Sequence, residues 1–342
     1  MPEKPLAEKK RSFALDFIRL LAMLSVFLFH LNLYYTGSDT VVKIPLHLGR
    51  NITLGVFGSV LFFILSGYTS AMSYQPGEKA VRRYYKKRAL SIFPMFYIAY
   101  LIAFLFVNFP AGQYGKRLLF TLLGMDGYLQ MYGIGTYHLV GEWFLGCVLL
   151  LYLFFPLLEL GARKSPIPLA AGALLLKAAA CILVLRGIIP ETDVLFFMPD
   201  FAAGILLGKR RDRIPHAVGA VSGAVLLLLV LIPFPKPFEY ALISLTGVSG
   251  FLFLLYLGQL LEAPQGGFVS MIRKAVTVTA GYSFAAFLVH HVVMGQVYQG
   301  LSKYSPGLGQ YLLFLAVSLL FTAAFALIVQ TAARAVTARL RR

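Results

Sequence analysis

Three ionisable side chains stand inside the first apolar stretch of the chain, FALDFIRLLAMLSVFLFHLNLYY at 13–35: Asp16, Arg19 and His30. An imidazole is the usual proton acceptor near neutral pH, and a guanidinium is a natural anchor for an anion. Wound as a helix, Arg19 and His30 fall about 20° apart around the axis, with Asp16 about 60° and 40° from them. The three share one face, and His30 lies roughly 16 Å further along than Arg19. An ionisable group inside a membrane span costs at least ~2.5 kcal/mol, so such groups usually face a protein interior and mark a working site. His30 reads as a general base or as a buried histidine hydrogen-bonded for packing. Arg19 reads as an anion holder or as the i,i+3 partner that neutralises Asp16, and the two roles are compatible.

Other chemically capable residues are spread down the chain. FFILSGYTSAMSY (62–74) ends an apolar run after Ser66 and Gly67, and RRYYKKRALSIFP (82–94) follows it. Lys79, Arg82, Arg83, Lys86, Lys87 and Arg88 there read as a topology signal against anionic headgroups, or as a phosphate-binding patch for an anionic donor such as a coenzyme A thioester. GEWFLGCVLLLYLFFP (141–156) sets Glu142 beside the only tryptophan, Trp143. Tryptophan is ordinary at a membrane edge, and Glu142 reads as a solvated acid or a site group. YSFAAFLVHH (282–291) puts His290 and His291 in mid-span. Adjacent helical residues point ~100° apart, so at most one easily faces a given cavity. Their roles stay unassigned, as does that of Lys177, a mid-span lysine able to snorkel. Cys147 and Cys181 lie in apolar runs without metal-binding spacing, so they read as packed core, and no metal site is expected. The GxSxG, GxGxxG, Walker A and HExxH signatures are missing, as is an HxxxxD arrangement.

The elements that position these residues follow from composition. Of 342 residues, 59% are hydrophobic and 13% charged, and mean hydropathy is +0.77. Repeated apolar runs near the ~20 residues needed to cross a bilayer indicate an all-α polytopic membrane protein, and the lack of two-residue alternation argues against a barrel. About ten spans are predicted, at 13–35, 52–74, 89–109, 142–161, 167–187, 194–208, 215–233, 239–261, 276–300 and 309–333. With the N-terminus cytoplasmic, most lysines and arginines fall on inside segments, which places both termini inside. The start, MPEKPLAEKKRS, leads into a span too long and polar for a signal peptide. The net charge of +17 punctuates apolar runs and reads as contact with membrane lipids. No nucleic-acid partner is expected. A single domain over 1–342 is predicted, with a cytoplasmic tail at 1–12 and a basic cytoplasmic tail at 334–342. An outer loop at 110–141 carries a short amphipathic or re-entrant helix. Its Tyr114, Tyr128, Tyr132 and Tyr137 read equally as sugar-stacking groups or as an interface belt. GILLG (204–208) and GAVSG (219–223) read as close helix packing.

Taken in order, these motifs resemble the membrane acyltransferase-3 family of bacterial carbohydrate O-acyltransferases. LDFIRLLAMLSVFLFH looks like its opening arginine-to-histidine motif, FFILSGY like its second-helix SG motif, and KRALSIFP like its cytoplasmic arginine motif. EWFL…YLFFPLL and YSFAAFLVHH are similar to its later tryptophan and histidine segments. The resemblance covers about 13–300. It departs where a second arginine often follows three residues on, because Ser91 stands there. No hydrolase-like domain follows the membrane part, as it does in some members. The resemblance implies transfer of an acyl group, often acetyl, from cytoplasmic acyl-CoA to a hydroxyl of a lipid-linked or extracytoplasmic glycan. Acyl-CoA is then a co-substrate, with no permanently bound cofactor. It implies His30 and Arg19 as catalytic residues, and Arg88, Lys87 and Arg83 at the CoA phosphates. Glu142, Trp143, Ser66 and Asp16 are the further substrate-site residues, with Ser66 or a backbone N–H near Gly67 as oxyanion donor. O-acetylation of a surface polysaccharide in a bacterial cytoplasmic membrane is the expected setting. The other classes open to this sequence are a multi-span transporter or exporter, with the charged stripe lining a path, and a non-enzymatic relative of the acyltransferases.

Overall fold

A computed structural model describes residues 12–34, 47–49, 52–107, 115–210, 213–262, 266–305 and 307–341. Tyr114 and all but Ser12 of the predicted N-terminal tail lie outside these residues. The chain opens with α1 (Phe13–Leu33), then a short antiparallel hairpin, β1 (His47–Leu48) and β2 (Ile52–Thr53), with His47 opposite Thr53. Next come α2 (Leu54–Ser73) and α3 (Ala80–Phe106), a 3-10 turn at Gly115–Arg117, α4 (Leu118–Leu122) and α5 (Asp126–Gln130). The second half holds α6 (Glu142–Lys164), α7 (Pro166–Leu185), α8 (Val194–Lys209), α9 (His216–Leu231), α10 (Lys236–Leu261), α11 (Gly267–Ala280), α12 (Ser283–Leu301) and α13 (Leu308–Leu340).

Helix ends follow local chemistry. The Thr53 hydroxyl accepts from Val56 N (3.2 Å) and the Asp193 carboxylate from Leu195 N (2.7 Å), capping α2 and α8. Glu262, just past α10, accepts from Ser12 Oγ (2.9 Å) and Ala14 N (3.1 Å), so a distant carboxylate satisfies the start of α1. Pro166 opens α7, where a missing N–H costs nothing.

Seven of these helices are long and apolar enough to cross a membrane, and eight if α11 and α12 are joined as one span. Each of the ten predicted spans coincides with a helix. However, α8 and α9 have 16 residues each, reaching only about 24 Å at the helical rise. The predicted span 276–300 is not continuous, for the axis turns by 65° between α11 and α12, around Gly281 and Tyr282. The cationic stretch is helical too, forming the first turns of α3, so its side chains are held in a fixed order around that axis. The described part of the predicted 110–141 loop, 115–141, carries short helices and no span.

The bundle is held by close backbone approach. A Cβ on Gly67 would strike the Phe201 carbonyl, one on Gly204 the Ile64 carbonyl, and one on Gly208 the Tyr68 carbonyl, which lets α2 and α8 pack almost backbone to backbone. Gly219 and Gly223 likewise seat Tyr256 and Phe253 between α9 and α10. Phe63, Phe155, Phe197 and Phe201 fill the interior. Leu174 and Leu175 of α7, Leu101 and Leu105 of α3 and Leu320 of α13 are exposed. Large aliphatic side chains facing outward over several helices suit hydrocarbon rather than water. The protein is a multi-pass all-α membrane bundle.

Candidate active site

Four side chains from three helices meet at one end of the bundle. The last turn of α1 presents His30, the first residue of α6 is Glu142, and the third turn of α12 presents His290 and His291. His30 Nε2 stands 3.5 Å from Glu142 Oε2, and His291 Nε2 makes a short ion-pair contact with Glu142 Oε1. His30 Nδ1 lies 3.0 Å from His290 Nε2, and His290 Nδ1 donates to the Phe287 carbonyl at 2.6 Å. The His30 and His291 rings cross edge-on with centroids 4.2 Å apart. His290 is fully buried, whereas the His30 side chain keeps 12% of its surface and that of His291 37%. Adjacent histidines thus serve two positions: His290 lies behind His30, and His291 faces open space.

The backbone around Glu142 is strained. Glu142 has φ +42° and Gly141 has φ +91°. A non-glycine residue held there costs of order 1–3 kcal/mol and persists only where packing over-determines it. Gly127 of α5 supplies that packing, because it abuts the Glu142 backbone with no room for a Cβ. The loop is pinned in turn to α8. Tyr128 Oη donates to Asp193 Oδ2 at 2.7 Å, and the Tyr132 hydroxyl donates to the same oxygen. These two tyrosines are therefore structural ties, which neither the sugar-stacking nor the belt reading anticipated. Burial, with the hydrogen bond to Asp193, pushes Tyr132 up to about 12.

Glu142 and His291 line a cavity of about 560 Å³, with His138, Trp143, Gln130, Gln296 and Gln299 also on its wall. His138 Nε2 is buried without a hydrogen-bond partner among the described residues, and burial pulls its imidazole below the ordinary range, so it is a neutral group on that wall. Trp143 stacks on Phe197 with centroids 5.4 Å apart. An apolar groove of about 460 Å³ between α3, α12 and α13 shares Leu288, Val292 and Gln296 with the cavity.

The remaining predicted site residues lie elsewhere. Asp16, almost fully buried, accepts from Arg19 Nη1 at 2.6 Å, and Arg19 lies about 16 Å back from His30 along α1. Arg88 Nη2 donates to Ser70 Oγ at 2.6 Å, and its guanidinium lies 4.6 Å from the Tyr152 ring centre, ten residues or about 15 Å down α6 from Glu142. Arg83 and Lys87 are exposed on the same helix turns. Ser66 is half-buried on α2, one turn from Phe63, whose ring meets Trp143. Lys177 does not snorkel. It is buried, donates to the Phe196 carbonyl at 3.0 Å and stands 3.7 Å from Asp200 Oδ2. Cys147 and Cys181 are both buried and free.

The nitrogen and oxygen atoms of His30, Glu142, His290 and His291 lie within 4.8 Å of one another, near enough for a cation. Both nitrogens of His290 are already engaged by an imidazole and a carbonyl, so its part in the cluster is hydrogen bonding. The arrangement suits proton transfer. An unblocked imidazole nitrogen faces a carboxylate, beside a cavity that can seat a hydroxyl compound.

Comparison with known proteins gives one family. The sequence model described as an acyltransferase domain (Acyl_transf_3) matches residues 12–329. No curated protein and no solved structure matches the chain significantly. With nearly its whole length matched, from Ser12 before α1 to Val329 in α13, the chain belongs to the acyltransferase-3 family.

Proposed function

We propose that this membrane acyltransferase moves an acyl group, acetyl foremost, from cytoplasmic acyl-CoA to a hydroxyl of a lipid-linked or extracytoplasmic carbohydrate. It works as a single domain in a bacterial cytoplasmic membrane, with both termini inside. The observation that carries this reading is His30 Nε2, 3.5 Å from Glu142 Oε2, with Glu142 itself on the cavity wall. The acceptor O–H proton passes to His30 Nε2, and the oxygen forms a new C–O bond at the thioester carbonyl. The C–S bond then breaks, and the proton returns from His30 to the departing sulfur, leaving an ester and free CoA thiol.

The rest of the chain is assigned around that step. Arg83, Lys87 and Arg88 hold the CoA phosphates at the cationic end of α3. Arg19, oriented by buried Asp16, holds the donor within the bundle, roughly 16 Å from His30. Glu142 and Trp143 position the acceptor, and Ser66 or a backbone N–H near Gly67 meets the developing oxyanion. The apolar groove that joins the cavity supports a lipid-linked acceptor, with hydrocarbon in the groove and sugar in the cavity.

Removing a general base typically costs about 10²–10⁴-fold in rate. His30→Ala and Arg19→Ala are expected to abolish acyl transfer in cells while membrane insertion is kept. Normal glycan acylation by either variant at normal expression rejects the role given to that residue.

A further inference from the structure

We infer that His290 is a positioning residue: it fixes which nitrogen of His30 carries the proton, so that Nε2 stands ready as the base. This rests on the reading of His30 as general base. A carbonyl oxygen only accepts, so the 2.6 Å contact with Phe287 O requires a hydrogen on His290 Nδ1. A neutral His290 then has its lone pair on Nε2. That atom lies 3.0 Å from His30 Nδ1, so His30 must donate from Nδ1. The Val26 backbone one turn earlier is a further acceptor for the His30 ring. A neutral His30 with hydrogen on Nδ1 keeps its lone pair on Nε2, the nitrogen that faces Glu142 Oε2 at 3.5 Å.

The same chain accepts the product of proton transfer without rearrangement. Once Nε2 takes the acceptor's proton, His30 is an imidazolium with two donors. Nδ1–H already points at His290, and the new Nε2–H points at the Glu142 carboxylate. His290 cannot turn away, because it is fully buried, with its ring against those of Phe27 and Phe287 and its other nitrogen tied to α12. A carbonyl and a second imidazole thus hold the base where other enzymes use a carboxylate.

The test compares two substitutions in the full-length protein reconstituted in lipid nanodiscs, with acetyl-CoA and a lipid-linked glycan. His290→Leu removes the acceptor, and His290→Gln keeps a carbonyl oxygen within reach of His30 Nδ1. We expect His290→Leu to lower kcat about 100-fold with KM for acetyl-CoA within twofold, and His290→Gln to recover at least tenfold of that loss. Equal kcat for the Leu variant and wild type, or equal loss in the Leu and Gln variants, overturns the proposal. Should either variant misfold, the wild type decides. With 15N-labelled histidine, assigned by a His30→Ala variant, His30 should show hydrogen on Nδ1 and none on Nε2, and the reverse overturns the proposal. An active His30→Ala variant sinks the general-base reading, whereas an inactive one beside a fully active His290→Leu sinks only the positioning role.

Discussion

At the scale of the residue, Glu142 is the group on which both histidine contacts converge. Its carboxylate faces His30 Nε2 on one oxygen and His291 on the other, in a backbone conformation that favours glycine. Backbone strain of this kind clusters at functional sites, where it preorganises a side chain. Glu142→Gln keeps the shape and removes the charge that steadies a protonated His30. A hydrogen bond to a charged group contributes about 1.5–3 kcal/mol, so kcat is expected to fall about tenfold to a hundredfold with little change in protein yield. Unchanged kcat in the Gln variant would show that Glu142 serves the loop alone.

His30 and Glu142 could be singled out in the sequence as candidates, because an ionisable group in or beside an apolar run needs a reason. The partnership of His290 with His30 was not, since it depends on where two helices 260 positions apart in sequence touch. Lys177 stayed unassigned for the same reason. Its partner Asp200 sits on another helix, and nothing in the apolar run around either residue points to the other.

At the scale of the element, the site depends on α6 starting where it does. Asp193 performs three tasks: it caps α8 and accepts from both Tyr128 and Tyr132, which fastens α5 and its loop beneath the Glu142 turn. Losing a cap costs about 1 kcal/mol, and leaving buried hydroxyls without an acceptor adds about 1–3 kcal/mol. Asp193→Ala should therefore lower the thermal unfolding midpoint in detergent by several degrees, while acyl transfer at low temperature is largely kept. An unchanged midpoint would remove the clamp from the account. The tyrosines were visible in sequence as an aromatic cluster, but their geometry came from an aspartate some sixty residues on. The turn between α11 and α12 was hidden as well. Gly281 and Tyr282 interrupt no apolar run, so nothing in the hydropathy marks the 65° turn of the axis there.

At the scale of the whole molecule, the architecture was written in hydropathy, since a bilayer admits few ways to satisfy a backbone. Hydropathy gave the short length of the inner helix at 194–208, but not why a helix that short is accommodated. The 16-residue helix α8 packs against the glycine face of α2 and needs no full crossing of its own to be buried. The result is a bundle with cations at one end of α3, a cluster of three histidines and Glu142 about 15 Å away along α6, and a cavity beside that cluster. The central claim is that a thioester approached from the first end acylates an alcohol held at the second. Sealed proteoliposomes holding the purified protein test it most directly, with acetyl-CoA on the side of the α3 cations and a lipid-linked glycan in the membrane. The account predicts free CoA on the side of supply and an acetylated glycan whose sugar faces the other side, in equal amounts. Glycan crossing the membrane with no thioester consumed would contradict it.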